Sequence, residues 1–175
     1  MDVTPRDAAD DDWLTATIAR HEGRLILYAQ RILAGDLARA RDVVQETFLK
    51  LCRTPRAEIT GHEPAWLYTV CRRTALDVKR KERRMTSIAD DTAASIPSLS
   101  PDPASATEQS DSAAEALRAL HHLPEPQREA LLLKFAHNLS YKEIAHVTGH
   151  TVSNVGFLIH TGIKTLRTRL TGAPA

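Results

Sequence analysis

The stretch LSYKEIAHVTGHT, residues 139–151, decides the fold of this chain. It opens with a capping box, in which Ser140 caps a helix and Glu143 reaches back to the cap. Leu139 and Ile144 stand on either side of the box at the spacing of a hydrophobic staple. The stretch therefore predicts a short helix that begins at a fixed residue.

A glycine turn separates this short helix from a longer one. Gly149 suits the left-handed backbone that closes a helix, and Thr151 can cap the next one. A short helix, a glycine turn and a long second helix form the layout of a helix-turn-helix, with a plain αα-hairpin used for packing as the alternative. The apolar residues of the second helix predict one continuous buried face: Val152, Val155, Ile159, Ile163, Leu166 and Leu170.

The outward face of the second helix carries the side chains that could meet DNA. Ser153, Asn154 and Phe157 lie near its N-terminus, where serine and asparagine can donate to and accept from base edges. Lys164 and Arg167 come later and suit phosphates. We therefore favour DNA as the ligand of this segment.

Two further helices are predicted before this motif. A capping box at residues 112–115 opens the first, which Leu123-Pro124 ends. The second runs from Gln127 to about Ala136. Its apolar residues are Leu131, Leu132 and Phe135.

The net charge of the chain conceals a segmental pattern. The 175 residues hold 23 Lys+Arg and 22 Asp+Glu, a net charge of +1 that by itself argues against a nucleic-acid-binding protein. By segment the charge is −4 over residues 1–12, +7 over 13–85, −6 over 86–115 and +4 over 116–175. Two basic segments are thus separated by an acidic one.

These charges match a change in composition. Residues 86–112 are rich in Ser, Ala, Pro, Thr and Asp, which indicates a flexible acidic linker that spans roughly 30 Å as a coil. Residues 1–12 are predicted to be an acidic disordered N-terminus. The expected fold is all-α, with two small helical domains, at 13–85 and 113–171, joined by the linker.

Several classes of protein do not fit the composition. No apolar run approaches the length of a membrane span, and the N-terminus lacks a signal-peptide layout, so we expect a cytoplasmic protein without membrane insertion. The two cysteines and eight histidines do not form a set with metal-ligand spacing. We therefore expect no metal site, no cofactor and no catalytic residues, and we expect Cys52 and Cys71 to be small buried hydrophobic residues.

The first domain is predicted to hold three helices. The first runs from about Trp13 to Leu33 and stops at a glycine. Asp36 caps the second, which reaches Cys52. Pro64 suits the first turn of the third, which runs to about Arg84.

The third helix carries most of the positive charge of this domain. Residues 72–84 hold seven basic and two acidic residues. Six of the basic residues are predicted to lie away from the apolar side and to face phosphates: Arg72, Arg73, Lys79, Arg80, Arg83 and Arg84. Trp66 and Tyr68 precede them and could stack on unpaired bases. The alternatives are a solvated helix face and, chiefly for Trp66, packing in the core.

The second helix mixes an apolar side with polar groups at Asp42, Gln45 and Glu46. Asp42 and Glu46 share a face, because they are four residues apart. Catalytic carboxylates are one interpretation, but a docking face or simple solvation is favoured because no second acid pair or histidine converges on them.

The chain resembles bacterial sigma factors of the extracytoplasmic-function (ECF) group. DVVQETF at 42–48, WLYTVCR at 66–72 and Asp77 with the basic run after it are similar to domain 2 of that group. Leu123-Pro124, LSYKEIA at 139–145 and the helix to Leu170 are similar to domain 4. The resemblance covers about 13–85 and 113–171.

This resemblance implies a protein that binds core RNA polymerase and promoter DNA and is held by an anti-sigma factor. The residues implied to dock the polymerase are Asp42, Gln45, Glu46 and Leu49. Those implied to engage and help open the minus-ten element are Trp66, Tyr68, Arg72, Arg73, Lys79, Arg80, Arg83 and Arg84. Those implied to read the minus-thirty-five element are Lys142, Thr151, Ser153, Asn154, Phe157, Lys164 and Arg167.

The sequence departs from the family pattern in two places. Arg73 stands where the family often has asparagine. Gly156, Leu158 and Thr161 stand where it commonly has Lys or Arg, which predicts weak autonomous binding to the minus-thirty-five element and an apolar contact from Phe157 to a thymine methyl. Two other functions remain open, a helix-turn-helix repressor or activator and a metal- or carboxylate-dependent nucleic-acid enzyme.

Overall fold

The computed structural model describes residues 8–89 and 118–171. Every regular element in those residues is helical, as the sequence predicts. The chain divides into two compact units, unit 1 up to Leu99 and unit 2 from Ser100 onward. Among the helices of the described residues, none combines the length and the apolar character needed to cross a membrane.

Unit 1 is a bundle of three helices, each of which packs on the other two. They are α1 (Ala8–Ile32), α2 (Leu37–Arg53) and α3 (Glu63–Ala89), and a 3-10 turn at Arg56–Glu58 lies between the last two. The core is aliphatic and tyrosine-rich rather than phenylalanine-rich. Its most buried large side chains are Leu25, Val43, Leu51, Ile59, Leu67 and Tyr68.

The entry into α2 forms as its sequence predicts. Asp36 is the N-cap, and its carboxylate accepts a hydrogen bond from the Arg39 backbone N–H at 3.0 Å. The turn before it contains Gly35 with φ 93°, a backbone conformation that costs glycine little. The cap and the turn together fix where α1 ends and α2 begins.

The N-terminal boundary of α1 corrects the prediction of a disordered acidic segment over residues 1–12. The helix begins at Ala8, five residues before the predicted start at Trp13. Asp10 contacts Arg56 at 3.1 Å, and the Arg56 guanidinium lies 5.1 Å from the centre of the Trp13 ring. Carboxylates in the first turn of a helix are also stabilised by its dipole, so residues 8–12 are ordered. Residues 1–7 lie outside the described residues.

The far end of α3 also lies beyond its predicted limit. The helix continues to Ala89, so residues 86–89 of the predicted linker are helical. The remaining predicted linker residues, 90–112, lie outside the described residues, as does the capping box predicted at 112–115.

Unit 2 contains a helical segment at residues 118–121 followed by three helices. These are α4 (Glu125–Phe135), α5 (Tyr141–Thr148) and α6 (Val152–Thr171). Helices α4, α5 and α6 all pack on one another. The centre of their core is formed by Leu133, Leu139, Ile144, Val155 and Ile159.

The capping box at the start of α5 is confirmed in both directions. The Glu143 backbone N–H donates to the Ser140 hydroxyl at 3.3 Å, and the Ser140 backbone N–H donates to the Glu143 carboxylate at 2.7 Å. Gly149 closes α5 with φ 78°. The Asn154 backbone N–H donates to the Thr151 hydroxyl at 3.2 Å and so begins α6. The helix-turn-helix therefore follows from local sequence signals.

The prediction of one continuous buried face on α6 is wrong at both ends of the row. Val152 and Leu170 are each 45% exposed, and Phe135 at the end of α4 is 66% exposed as well. From Val152 to Leu170 the row advances 18 residues, which is five full turns, so it stays on one face of α6. Its ends are exposed because α6, with 20 residues, is longer than α4, with 11, and α5, with 8. The buried centre consists of Val155, Ile159 and the backbone at Gly162.

The two glycines within α6 predict opposite responses to alanine. A Cβ at Gly162 would lie 2.8 Å from Cδ1 of the buried Leu131, whereas a Cβ at Gly156 would lie 3.6 Å from the nearest Tyr141 ring atom. Alanine is favoured over glycine inside a helix by about 1 kcal/mol. Overpacking a core costs about 1–3 kcal/mol. We expect Gly156→Ala to stabilise unit 2 by up to about 1 kcal/mol and Gly162→Ala to destabilise it by a similar amount.

Hydrogen–deuterium exchange over residues 118–171 measures both effects in the full chain. Exchange slower than wild type in Gly156→Ala and faster in Gly162→Ala is the expected pair of results. Equal stabilisation by both substitutions would mean that α4 and α6 do not pack closely at Gly162.

Candidate nucleic-acid interface

The exposed side of α3 carries a stripe of charged residues headed by an aromatic one. Arg73, Asp77, Arg80 and Arg84 are exposed and repeat at spacings of 3 and 4, and the first of them lies two turns after the half-buried Trp66. Arg72 and Lys79 are half-buried and flank this stripe, and Arg83 is exposed. Of the six predicted cations, the exposed ones are therefore Arg73, Arg80, Arg83 and Arg84.

Acidic residues pair with part of this positive charge. Asp77 contacts Arg80 at 2.9 Å within α3. Glu82 pairs with Arg39, which also contacts Asp36 at 3.4 Å, and so connects α3 to the start of α2. Exposed pairs of this kind contribute little stability, so Arg80 can exchange its partner for a phosphate at low cost.

The prediction that Tyr68 stacks on unpaired bases is wrong. Its side chain is 1% exposed and packs edge-on against Tyr28, with ring centres 5.1 Å apart. Burial raises the pKa of the Tyr68 hydroxyl above its ordinary value. Tyr68 lies on the core side because it is one residue from Leu67, and the apolar sector of α3 is wide enough to include both.

Trp66 lies near the start of α3 and is only half-buried. Part of its ring is therefore accessible at the end of the charged stripe. Of the two aromatic residues in the predicted interface, Trp66 is the one that could contact a base.

A second candidate surface lies on α2. Asp42, Gln45, Glu46 and Leu49 are all exposed, with Leu49 at 49%. Glu46 contacts Lys50 at 2.9 Å, one turn further along the helix. The four residues lie on one helix, but only two of them, Gln45 and Leu49, line a groove.

A groove of about 410 Å³ between α1 and α2 adjoins Gln45 and Leu49 but not Asp42 or Glu46. Its floor is apolar, because Val44 and Phe48 line it. The α1 side of the groove, Glu22 and Ile26, was not predicted from the sequence, because a position next to a groove has no distinct sequence pattern. The remaining lining residues are Arg41 and Cys52.

The outward face of α6 is arranged as the helix-turn-helix pattern predicts. Ser153, Asn154, Phe157, Lys164 and Arg167 are exposed, with Phe157 at 64%. Lys142 at the start of α5 and Thr151 at the turn are exposed as well. His160 is exposed as well, and its spacing from Phe157 and Lys164 puts it on the same face.

The cysteines differ in their environment. Cys71 is fully buried, and burial raises the pKa of its thiol to about 12, so it is an unreactive core residue. Cys52 is only half-buried at the α1–α2 groove, so the expectation of a buried residue is wrong for this cysteine. Within residues 8–89 and 118–171, no group of three His, Cys, Asp or Glu side chains could hold a metal ion.

His21 makes the stability of unit 1 depend on pH. It is 8% exposed, and its Nδ1 has no hydrogen-bond partner among the described residues. Burial lowers the pKa of His21, the charges of Arg20 and Arg24 lower it further, and Glu63 opposes them. The unfolded chain therefore binds the proton more readily, and stability is lost as pH falls through the unfolded value of about 6.5.

We expect unit 1 to unfold at a lower denaturant concentration at pH 5.5 than at pH 7.5. Tryptophan fluorescence follows unit 1 alone, because both tryptophans, Trp13 and Trp66, belong to it. His21→Gln should reduce the pH dependence, whereas the exposed control His62→Gln should keep it. A His21→Gln protein with the full wild-type dependence would contradict this origin.

Two family models match separate parts of the chain. The family model for sigma-70 region 2 matches residues 17–85, and the model for sigma-70, region 4 matches residues 113–166. Residues 17–85 contain α2 and the basic stripe of α3. Residues 113–166 contain the helix-turn-helix.

Individual relatives carry the same description. The ECF RNA polymerase sigma factor SigE of Mycolicibacterium smegmatis is 32% identical over 95% of this chain and 65% of its own length. EcfG of Rhodopseudomonas palustris is 35% identical over 70% of this chain and 66% of its own length. The chain thus spans slightly less than two thirds of these two relatives. SigL of Mycobacterium tuberculosis is 30% identical over 96% of this chain and 94% of its own length.

Solved structures have a similar fold. The sigma factor RpoE, in complex with the anti-sigma factor NepR from Bartonella quintana, has a TM-score of 0.68 and 21% identity, with 94% of this chain and 98% of RpoE covered. CnrH, in complex with the cytosolic domain of CnrY, has a TM-score of 0.52 and 20% identity, with 92% and 89% covered. By its two region matches and its sequence relatives, the chain belongs to the sigma-70 family of RNA polymerase sigma factors, in the ECF group.

Proposed function

We propose that this chain binds core RNA polymerase in the cytoplasm and directs it to specific promoters. One observation supports the proposal most strongly. The chain carries two separate surfaces whose side chains suit DNA binding, the basic stripe of α3 and the exposed face of α6. A repressor or activator needs only one of these. The polymerase supplies the catalysis, and this chain supplies recognition.

In this proposal unit 1 docks the polymerase and opens the promoter. Gln45 and Leu49 at the α1–α2 groove, with Asp42 and Glu46 beside them, form the polymerase-docking surface. Trp66 and the arginines of the α3 stripe engage the minus-ten element, together with Arg72 and Lys79 on the flank of the stripe. Opening duplex DNA costs about 1.4 kcal/mol per base-pair step, and contacts to the separated strand offset that cost.

Unit 2 reads the minus-thirty-five element in the same proposal. Ser153, Asn154 and Phe157 meet base edges in the major groove. Lys142, Thr151, Lys164 and Arg167 contact phosphates and set the register of the helix. Because α6 has no Lys or Arg before Lys164, we expect unit 2 to bind DNA weakly without the polymerase.

An anti-sigma factor is the second proposed partner. The supporting observation is that the similar structures of RpoE and CnrH are both complexes, the first with an anti-sigma factor. The α1–α2 groove, with the exposed Leu49 at its edge, offers an apolar contact for such a protein. Competition between an anti-sigma factor and the polymerase for this groove would keep the chain inactive.

Site-specific crosslinking in the reconstituted holoenzyme tests these assignments. A photoreactive residue at position 49 should attach to a polymerase subunit, one at position 73 to the minus-ten element and one at position 157 to the minus-thirty-five element. Position 15, which is exposed on α1 and does not line the α1–α2 groove, serves as the control. Polymerase attachment from position 157 and DNA attachment from position 49 would overturn the proposed orientation.

A further inference from the structure

The DNA-facing side of α6 includes a ring that belongs to another helix. Gly156 has no side chain, and the Tyr141 ring fills the adjacent space, with its Cε2 and Cδ2 atoms 3.6 and 3.9 Å from where a Cβ would lie. Tyr141 is the first residue of α5. The surface of α6 at its second turn is therefore composite, with backbone from α6 and an aromatic ring from α5.

This composite surface lies at the edge of the exposed side of α6. The positions three and four before and after Gly156 are its neighbours on the helix surface. Val152, Ser153 and His160 are exposed, whereas Ile159, three positions after Gly156, is buried. Tyr141 is 40% exposed beside them, and Phe157, the residue after Gly156, is 64% exposed. Two accessible aromatic rings, one from each helix, thus lie at the first two turns of α6, the proposed recognition helix.

A lysine from α4 holds the Tyr141 ring in this position. The Lys134 ammonium lies 5.7 Å from the ring centre and donates to the Leu139 backbone carbonyl at 3.2 Å. The ring is therefore in contact with Gly156 and with a cation that is itself tethered. Its orientation is set by contacts within unit 2, before any DNA binds.

The chemistry of this surface suits thymine. In the major groove, thymine is distinguished by its C5-methyl group, which makes apolar contacts with protein side chains. An aromatic ring offers the area for such a contact. Residues 152–163 of α6 include no arginine or lysine, the side chains that donate two hydrogen bonds to guanine.

We propose that Tyr141 is a further specificity-determining residue of unit 2, which with Phe157 forms an apolar two-ring surface for thymine methyl groups in the minus-thirty-five element. Gly156 is the residue that admits the Tyr141 ring to this surface. The inference rests on the proposed function, and it adds a second helix to the base-reading surface.

Thymine-to-deoxyuridine replacement tests this proposal because it removes only the methyl group. A promoter is first selected with the wild-type holoenzyme, and each thymine of its minus-thirty-five element is then replaced in turn. Promoter occupancy by the wild-type holoenzyme should fall about fourfold for each contacted methyl group. Tyr141→Ala should lose the sensitivity at one thymine and Phe157→Ala at another. Tyr141→Phe should retain the wild-type pattern.

A second variant tests the role of Gly156 without altering Tyr141. Gly156→Val places branched atoms where the ring lies, so it should remove the same sensitivity as Tyr141→Ala. Circular dichroism of each full-length variant confirms that it is folded. Initiation at the unmodified promoter with no effect of any deoxyuridine, or with the wild-type pattern in Tyr141→Ala, would overturn this inference alone. Failure of the wild-type protein to initiate at any promoter would instead overturn the proposed function.

Discussion

Replacing Leu49 with glutamate is expected to lower the affinity of the chain for core RNA polymerase by roughly tenfold or more. Leu49 is 49% exposed at the edge of the α1–α2 groove, so the fold tolerates the change. Burying a leucine contributes about 1.5–3 kcal/mol, and tenfold in affinity corresponds to about 1.4 kcal/mol. A carboxylate buried in the same contact adds the cost of removing its charge from water.

Leu37→Glu is the matched control for this substitution. Leu37 belongs to the same helix and has a similar exposure of 41%, but it does not line the groove and lies at the opposite end of α2 from Leu49. Fluorescence titration of labelled full-length protein with core polymerase measures both affinities. Equal affinities for the two variants would exclude the α1–α2 groove as the docking surface.

Removing two cations from the α3 stripe is expected to give the largest loss of promoter binding. Arg73 and Arg80 are both exposed. A hydrogen bond to a charged group contributes about 1.5 kcal/mol or more. Replacing both arginines with alanine should therefore weaken open-complex formation on the order of 100-fold. The slope of log affinity against log salt should also fall by about 0.7–0.9 for each lost phosphate contact.

The control for this pair removes the same charge from another surface of unit 1. Arg20 and Arg24 are exposed on α1. The double variant Arg20→Ala with Arg24→Ala should leave the salt slope close to the wild-type value. A similar loss of slope in both double variants would indicate a general effect of net charge instead of contacts made by the stripe. Holoenzyme binding to promoter DNA at several salt concentrations supplies the measurement.

Local signals in the sequence predicted much of the fold. The Asp36 cap, the capping box at Ser140 and the turn at Gly149 each depend on residues within one helical turn. Such interactions form in the same way whatever surrounds them, so a single sequence is enough to identify them. The boundaries of α2 and α5 accordingly agree with prediction within about two residues.

Features that depend on distant residues were predicted less well. Helix α1 begins early because Asp10 and Trp13 contact Arg56, which is more than forty positions away in the chain. Gly162 gives Leu131 of α4 the space to pack closely, a contact that the pattern of α6 does not predict. The helical pattern alone contains no information on which residue of another helix lies opposite.

For the candidate sites too, features set within one helix were predicted and features set by two helices were not. The exposed positions of α2, α3 and α6 followed from helical periodicity, which correctly separates the solvent side from the core side for most of the predicted residues. Tyr68 was misassigned because it lies at the border between the two sides, where the Tyr28 ring completes its burial. The Tyr141 ring over Gly156 and the α1 side of the groove involve pairs of helices, so periodicity within one helix could not reveal them.

Transcription from a random promoter library tests the central claim most directly. Purified full-length protein is added to core polymerase, and the start sites of the RNA products are sequenced. We predict initiation at a discrete set of promoters with shared elements near minus ten and minus thirty-five, which disappears when the protein is omitted. Tight binding to a DNA sequence without initiation would contradict the account and would favour a helix-turn-helix repressor or activator.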